Sequence, residues 1–246
     1  MVACIFCYRS CCRQLLLLLL SVLLSACGKS GPAQPSLFPL NEGWSWNYKV
    51  TTSDINGTKV TDLHVHNRTA VALTDQINAI ERRNSLGLSY YFVVQANAIT
   101  RLATKNQFEN LPRLDMDETP RHVLPLPPKL GSKWLMTTRA YLLHRQRDQL
   151  DDIRFARPFA MSFEIDALDQ TITVPAGTFT NCVVVAGHYM MPVMADVITG
   201  MELVPINQKE WYCPEAGMVK FIRAESIVSR LVLGGTMVME LVNLDH

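Results

Sequence analysis

An excess of charge of either sign, a membrane-spanning apolar run and any catalytic signature are all missing from this chain. Its 23 Lys and Arg stand against 22 Asp and Glu, so no basic balance marks a nucleic-acid partner, and that class is excluded. The longest apolar run, residues 15–26, falls well short of the roughly 20 residues that a helix needs to cross a bilayer. No G-x-S-x-G, no H-E-x-x-H and no Gly-rich phosphate loop occurs. Each of those motifs brings together at least two of the groups that a nucleophilic, zinc or phosphoryl site requires. The expectation is therefore a non-enzyme with no cofactor. Helical periodicity is also scarce, with residues 145–152 the best short candidate, so little helix is expected.

What the chain does have begins at its amino terminus. Arg9 and Arg13 precede an apolar stretch from Leu15 to Leu24, and small residues follow up to Cys27. A basic n-region, a short h-region and small residues are the parts of a secretory signal. The following Gly28-Lys29-Ser30 has the letters of a phosphate-loop end, but Leu23 stands where that loop needs its first Gly. Leu24-Ser25-Ala26-Cys27 resembles the lipobox of bacterial lipoproteins. The resemblance implies cleavage before Cys27, diacylglycerol on its sulfur and acylation of the new amino terminus. Two or more acyl chains, at about 0.8 kcal/mol per buried methylene, hold a protein on a membrane without a span.

On this reading residues 1–26 are a lipoprotein signal peptide and 27–36 a flexible tether, with Pro32 and Pro35 among small polar residues. Residues 37–246 form a single all-β domain. Removal of the signal takes two arginines and no acid, leaving 21 cationic against 22 acidic side chains. It also takes Cys4, Cys7, Cys11 and Cys12, whose spacing imitates a metal cluster. With Cys27 lipidated, Cys182 and Cys213 remain in an oxidising compartment. They can pair across an antiparallel hairpin, with a stabilisation of about 3 kcal/mol, or stay as two buried thiols.

Trp44, Trp46, Tyr48 and Val50 alternate with polar residues, which gives a strand with an aromatic face. Asn56-Gly57 supplies a tight turn, and a return strand runs from about Thr58 to His66. Further strands are read at Leu88–Val94, at about Ala98–Thr104, at Trp134–Leu143 and from Phe159 to Asp166. Between them, Lys105 to Pro128 reads as a surface connection with a short strand at His122–Leu126. Cys182–Ala186 is apolar at successive positions, and Ile227–Leu233 is so apart from Ser229 and Arg230, as in strands buried on both faces. The fold expected is an antiparallel curved sheet or partly open β-barrel. Gly43 and Gly131 each stand three residues before a Trp that opens a strand, which suggests two similar β halves.

Those two Gly-x-x-Trp openings, V-P-A-G-T-F at 174–179 and W-Y-C-P-E-A-G-M-V-K at 211–220 together resemble a group of bacterial envelope β-proteins of unknown function. In that group a Pro-x-x-Gly-x-Val-Lys turn joins two late strands. The motifs serve chain reversal and burial, and imply no chemistry.

Candidate sites are few. His64 and His66 share one strand face and could hold a metal, but no further ligands are evident, so a solvated surface is expected. Asp115 to Glu118 lacks the Gly and the spaced final Glu of a calcium loop and reads as solvated. Met190, Met191, Met194 and Met201 gather around Pro192, and core filling is the expected role. The functional expectation is a lipid-anchored envelope protein acting as a binding or assembly module. Its partner is an apolar ligand held in the barrel or, alternatively, another envelope protein. Gly28 after the lipidated cysteine, in place of an Asp, favours the periplasmic face of the outer membrane in a two-membrane host. In any other host the outer face of the plasma membrane is expected.

Overall fold

Alternating apolar and polar residues commit nearly the whole described chain to strands, and sharp Gly- and Asn-bearing turns send each strand back beside the last. The computed structural model describes residues 36–145, 153–155, 157–196, 198–227, 229 and 231–246. The signal peptide expected at 1–26, Cys27 and residues 146–152 of the helix candidate lie outside them. Residues 36–246 form one compact unit.

Among the described residues there are fifteen strands: β1 (Ser45–Asp54), β2 (Gly57–Thr74), β3 (Ile77–Asn84), β4 (Leu88–Val94), β5 (Ala98–Asn106), β6 (Leu114–Pro125), β7 (Lys133–Thr138), β8 (His144–Arg145), β9 (Ile153–Arg154), β10 (Phe159–Val174), β11 (Gly177–Asp196), β12 (Gly200–Cys213), β13 (Gly217–Glu225), β14 (Val232–Leu233) and β15 (Gly235–Asp245). Twelve of them pair antiparallel in the order β6-β5-β4-β3-β2-β1-β15-β13-β12-β11-β10-β7, and β14-β8-β9 make a second, small sheet. The large sheet curls into a nearly closed barrel. Its seam lies between β6 and β7, where Arg121 donates a hydrogen bond of 2.8 Å to the Thr137 carbonyl oxygen.

The all-β expectation holds, with three corrections in detail. Trp134–Leu143 is not one strand, since β7 stops at Thr138. The backbone N–H groups of Tyr141, Leu142 and Leu143 turn instead to the Glu225 carboxylate, at 2.8–3.1 Å. Of the described residues in Ile227–Leu233, only Val232 and Leu233 pair as a strand. Half of the connection 105–128 is β6, a strand with its first residues mostly exposed and its last ones half-buried or buried. One strand, β3, carries no alternation in sequence, because its Glu81 and Arg82 point to opposite faces and both find partners there.

Two apolar clusters fill the barrel. The larger includes Phe38, Phe92, Leu124, Leu143, Phe159, Met161, Phe163, Ile165, Val185 and Ile206. The smaller gathers Trp46, Tyr48, Val174, Val219 and Leu241 around Cys182 and Cys213. The strands come so close that a Cβ on Gly187 would stand 2.6 Å from the Phe163 ring. Each end of the barrel is covered by chain. At one, Phe38 from the segment before β1 packs edge-on to Phe92, with ring centroids 5.0 Å apart. At the other, residues 139–145 and 231–234 cross the opening. Gly234 permits that crossing, since a Cβ there would lie 1.9 Å from the Glu225 carbonyl oxygen.

Candidate docking face and the groups beneath it

The end of the barrel marked by Phe38, the β12–β13 turn and the start of β1 is called proximal here, and the opposite end distal. β11 pairs with β10 only as far as His188, and β12 with β13 only from Ile206. Beyond those points β11 and β12 continue together alone, through Met190↔Pro205, Pro192↔Leu203 and Met194↔Met201. A two-stranded tip therefore projects past the distal rim. Asp196 closes its turn by accepting hydrogen bonds from the backbone N–H groups of Ile198 and Thr199, at 2.8 and 2.7 Å.

Strand alternation divides the tip into two faces. Met191, Val193, Ala195 and Val204 point inward and are buried. They rest on the distal cover, to which Arg145 adds a hydrogen bond to the Met194 carbonyl oxygen and Ser229 one to that of Ala195. The outward face is apolar as well. Met190, Met194, Met201 and Leu203 are 40, 51, 61 and 63% exposed, and Ile198 at the turn is 95% exposed. Pro192 and Pro205 complete it, and no charged residue occupies an outward position from Met190 to Met194 or from Met201 to Pro205. Core filling, expected for all four methionines, thus holds for Met191 alone. Sequence spacing could not separate them, because both faces of this hairpin are apolar.

The prolines say how the tip can be approached. A proline fits an antiparallel ladder only where its nitrogen turns away from the partner strand. Pro192 and Pro205 both stand within the β11–β12 ladder, so their nitrogens lie along its two free edges. Edges interrupted by a proline do not accept another strand readily. The outward face, and not an edge, is left as the contact surface.

Beneath the tip, β12 and β13 carry a buried polar row. Arg223 and Glu225 are both 0% exposed and joined by a 2.6 Å ion pair. Arg223 also donates to Gln208 at 2.6 Å and to the Arg139 carbonyl oxygen at 2.8 Å, and lies 4.1 Å from the centre of the Tyr141 ring. Gln208 donates to Glu210, which also accepts from Tyr212 at 2.5 Å. Burial raises the Glu210 pKa above the ordinary carboxyl range, against the opposing hydrogen bonds of Tyr212 and Gln208. Burial, and then the neighbouring Glu210, raise that of Tyr212. These groups satisfy one another and hold the cover in place.

A second, half-buried cation fixes the proximal end. Arg82 donates to Asn67 at 2.8 Å and to the Pro39 carbonyl oxygen, and its guanidinium lies 4.2 and 4.4 Å from the ring centres of Phe38 and Trp46. Burial pulls its pKa down to about 10. Burial likewise raises the Tyr48 hydroxyl well above its ordinary value. Neither Arg82 nor Arg223 was legible as a site residue, since nothing in sequence marks a cation that will be folded inward.

The residues singled out by sequence are dispersed. Cys182 and Cys213 are joined by a disulfide in the proximal cluster. His64 and His66 stack on the outer surface, 5.5 Å apart, and His64 Nδ1 shares a 2.8 Å hydrogen bond with Asn47. Burial, then His64 and two arginines, lower the His66 pKa. Among the described residues no group of three His, Cys, Asp or Glu is placed to hold a metal. Asp117 does not lie in a solvated loop: it pairs with Arg101 at 2.8 Å and Arg121 at 3.1 Å. A pocket of about 740 Å³ opens at the distal rim, and its lining includes Val50, Leu63, Tyr141, Leu142, Met237 and Met239.

No protein-family model matches the chain, and no curated protein matches it. Among solved structures it is similar to a candidate lipoprotein from Parabacteroides distasonis, at 16% identity and a TM-score of 0.43. That similarity covers 87% of this chain and 100% of the other. It is also similar to a candidate exported protein with a YmcC-like fold from Bacteroides fragilis, at 15% identity and a TM-score of 0.37, covering 86% and 100%. The chemistry of the distal end is read from its own residues.

Proposed function

We propose that this chain is a lipid-anchored protein of the bacterial cell envelope that acts by docking and not by catalysis. The lipobox Leu24-Ser25-Ala26-Cys27 supports the anchor, and Gly28 supports the periplasmic face of the outer membrane in a two-membrane host. The observation that carries the docking role is the uncharged outward face of the β11–β12 tip. Monomeric proteins rarely expose contiguous apolar surface unless it is covered in use, and methionines adapt such a surface to its partner. A photo-crosslinking side chain at Leu203 tests this in cells. A single stoichiometric product that disappears with Met201→Glu is expected. No product at Leu203, together with unchanged behaviour of the Glu variant, overturns the reading.

The distal-rim pocket favours a second reading, an aliphatic ligand lying on Met237, Met239 and Leu63, since its volume is within the range of small-molecule sites. Deeper in the barrel, beyond this pocket, the two apolar clusters occupy the interior and give this reading no support. Native mass spectrometry of the acylated protein should show one retained apolar species; a bare mass removes it.

A further inference from the structure

Resting on that docking reading, we infer that the occupant of the tip's outward face is a second copy of this chain, related by a two-fold axis parallel to the barrel axis. The blunted edges leave face-to-face sheet contact, and two apolar sheet faces pack about 10 Å apart when neither carries a charge. A partner for this face must bring an uncharged apolar surface of similar width. An identical copy brings Met190, Met194, Met201 and Leu203 against the same residues, with no like charges opposed.

The charge pattern around the face separates this occupant from a membrane. Helices and tips that dip into a headgroup layer carry Lys or Arg beside Trp or Tyr. None of these four residue types occupies an outward position from Met190 to Met194 or from Met201 to Pro205. Toward the barrel waist, the same outer surface continues with charges already matched within one copy. Lys209 pairs with Asp166 at 3.0 Å and Lys133 with Glu164 at 3.2 Å. Such a rim neither repels a second copy nor calls for a partner of opposite sign.

Where the chain leaves the body agrees with this symmetry. Ser36 is held beside the β12–β13 turn by mutual hydrogen bonds with Glu215, at 2.8 and 2.9 Å. The tip is at the other end of β12, a strand of 14 residues and hence about 45 Å long. A two-fold axis along the barrel brings the two tips side by side and points both Ser36 ends the same way. Both acylated cysteines then reach one leaflet. An axis across the barrel would send the anchors in opposite directions.

The test uses the full-length acylated protein in its own membrane, with two differently tagged copies co-expressed and a photo-crosslinking side chain placed at Leu203 or Met194. Covalent dimers carrying both tags are expected at both positions. They should be absent with the probe at Lys49 on β1, and lost when Met201→Glu is added to a chain whose melting temperature is unchanged. Should Leu203 crosslink only to a different envelope protein, or to lipid, the inference of a second copy is overturned. The first of these outcomes leaves the docking reading standing, whereas no crosslink of any kind at Leu203 overturns both.

Discussion

Glu225 holds more of the distal cover than any other single side chain, since its carboxylate takes three backbone N–H groups and the Arg223 guanidinium. Removing one partner of a buried ion pair leaves the other uncompensated, at a cost of about 3–5 kcal/mol. Glu225→Ala should therefore lower unfolding stability by about that amount in a urea titration, and Arg223→Met should be less harmful than Arg223→Ala because it refills the space. Two other carboxyls give opposite pH signatures. Glu210 has a folded pKa raised by burial, so its contribution is fully present below the unfolded carboxyl range and falls as pH rises through the folded value. Glu210→Gln should abolish that decline, seen as a smaller loss of melting temperature from pH 4 upward. For Glu81, burial acts to raise the pKa, but hydrogen bonds from Ser89 and Arg83 outweigh it and the net shift is downward. Its contribution is present above the unfolded range and is lost as pH falls through the folded value, so Glu81→Gln should flatten the acid limb instead.

At the scale of elements, strands with one wet face were legible in the sequence and those with two dry faces were not. β4 runs from Leu88 to Val94 as its alternation requires, and the aromatic face of β1 is buried through Trp46 and Tyr48. β3 escaped, because Arg82 enters the interior beneath Phe38 while its neighbour Glu81 binds Arg83 and Ser89 on the outside. The methionine hairpin was misjudged for a related reason: periodicity reports that two faces differ, and here they do not. The tip's edges can be tested directly. Pro192→Val with Pro205→Val restores an N–H to each free edge and should turn a defined species into larger assemblies, followed by light scattering, with little change in the barrel's own melting. In the proximal cluster the disulfide closes a loop of sequence separation 31. Cys182→Ala with Cys213→Ala should cost about 3–4 kcal/mol in denaturant stability.

For the whole molecule, the sequence indicated an envelope address and an all-β body but not a site. A docking face lacks the fixed spacing of a catalytic motif and emerges only when the fold decides which apolar residues stay outside. The address makes its own prediction: the mature protein should begin at an acylated Cys27, and Cys27→Ser should release it from the membrane fraction, as mass spectrometry and fractionation would show. One feature of the proximal end then acquires a mechanical meaning. If Cys27 is acylated as proposed, tension on that anchor would enter the barrel at Ser36, whose backbone N–H and carbonyl are both bonded to Glu215. Two residues further on, Phe38 is wedged beneath Arg82, and Arg82 and Asn67 together grip the Pro39 carbonyl. Under that proposal a force on the anchor would be carried first by this short clasp, and its rupture would set the load at which the barrel begins to unravel.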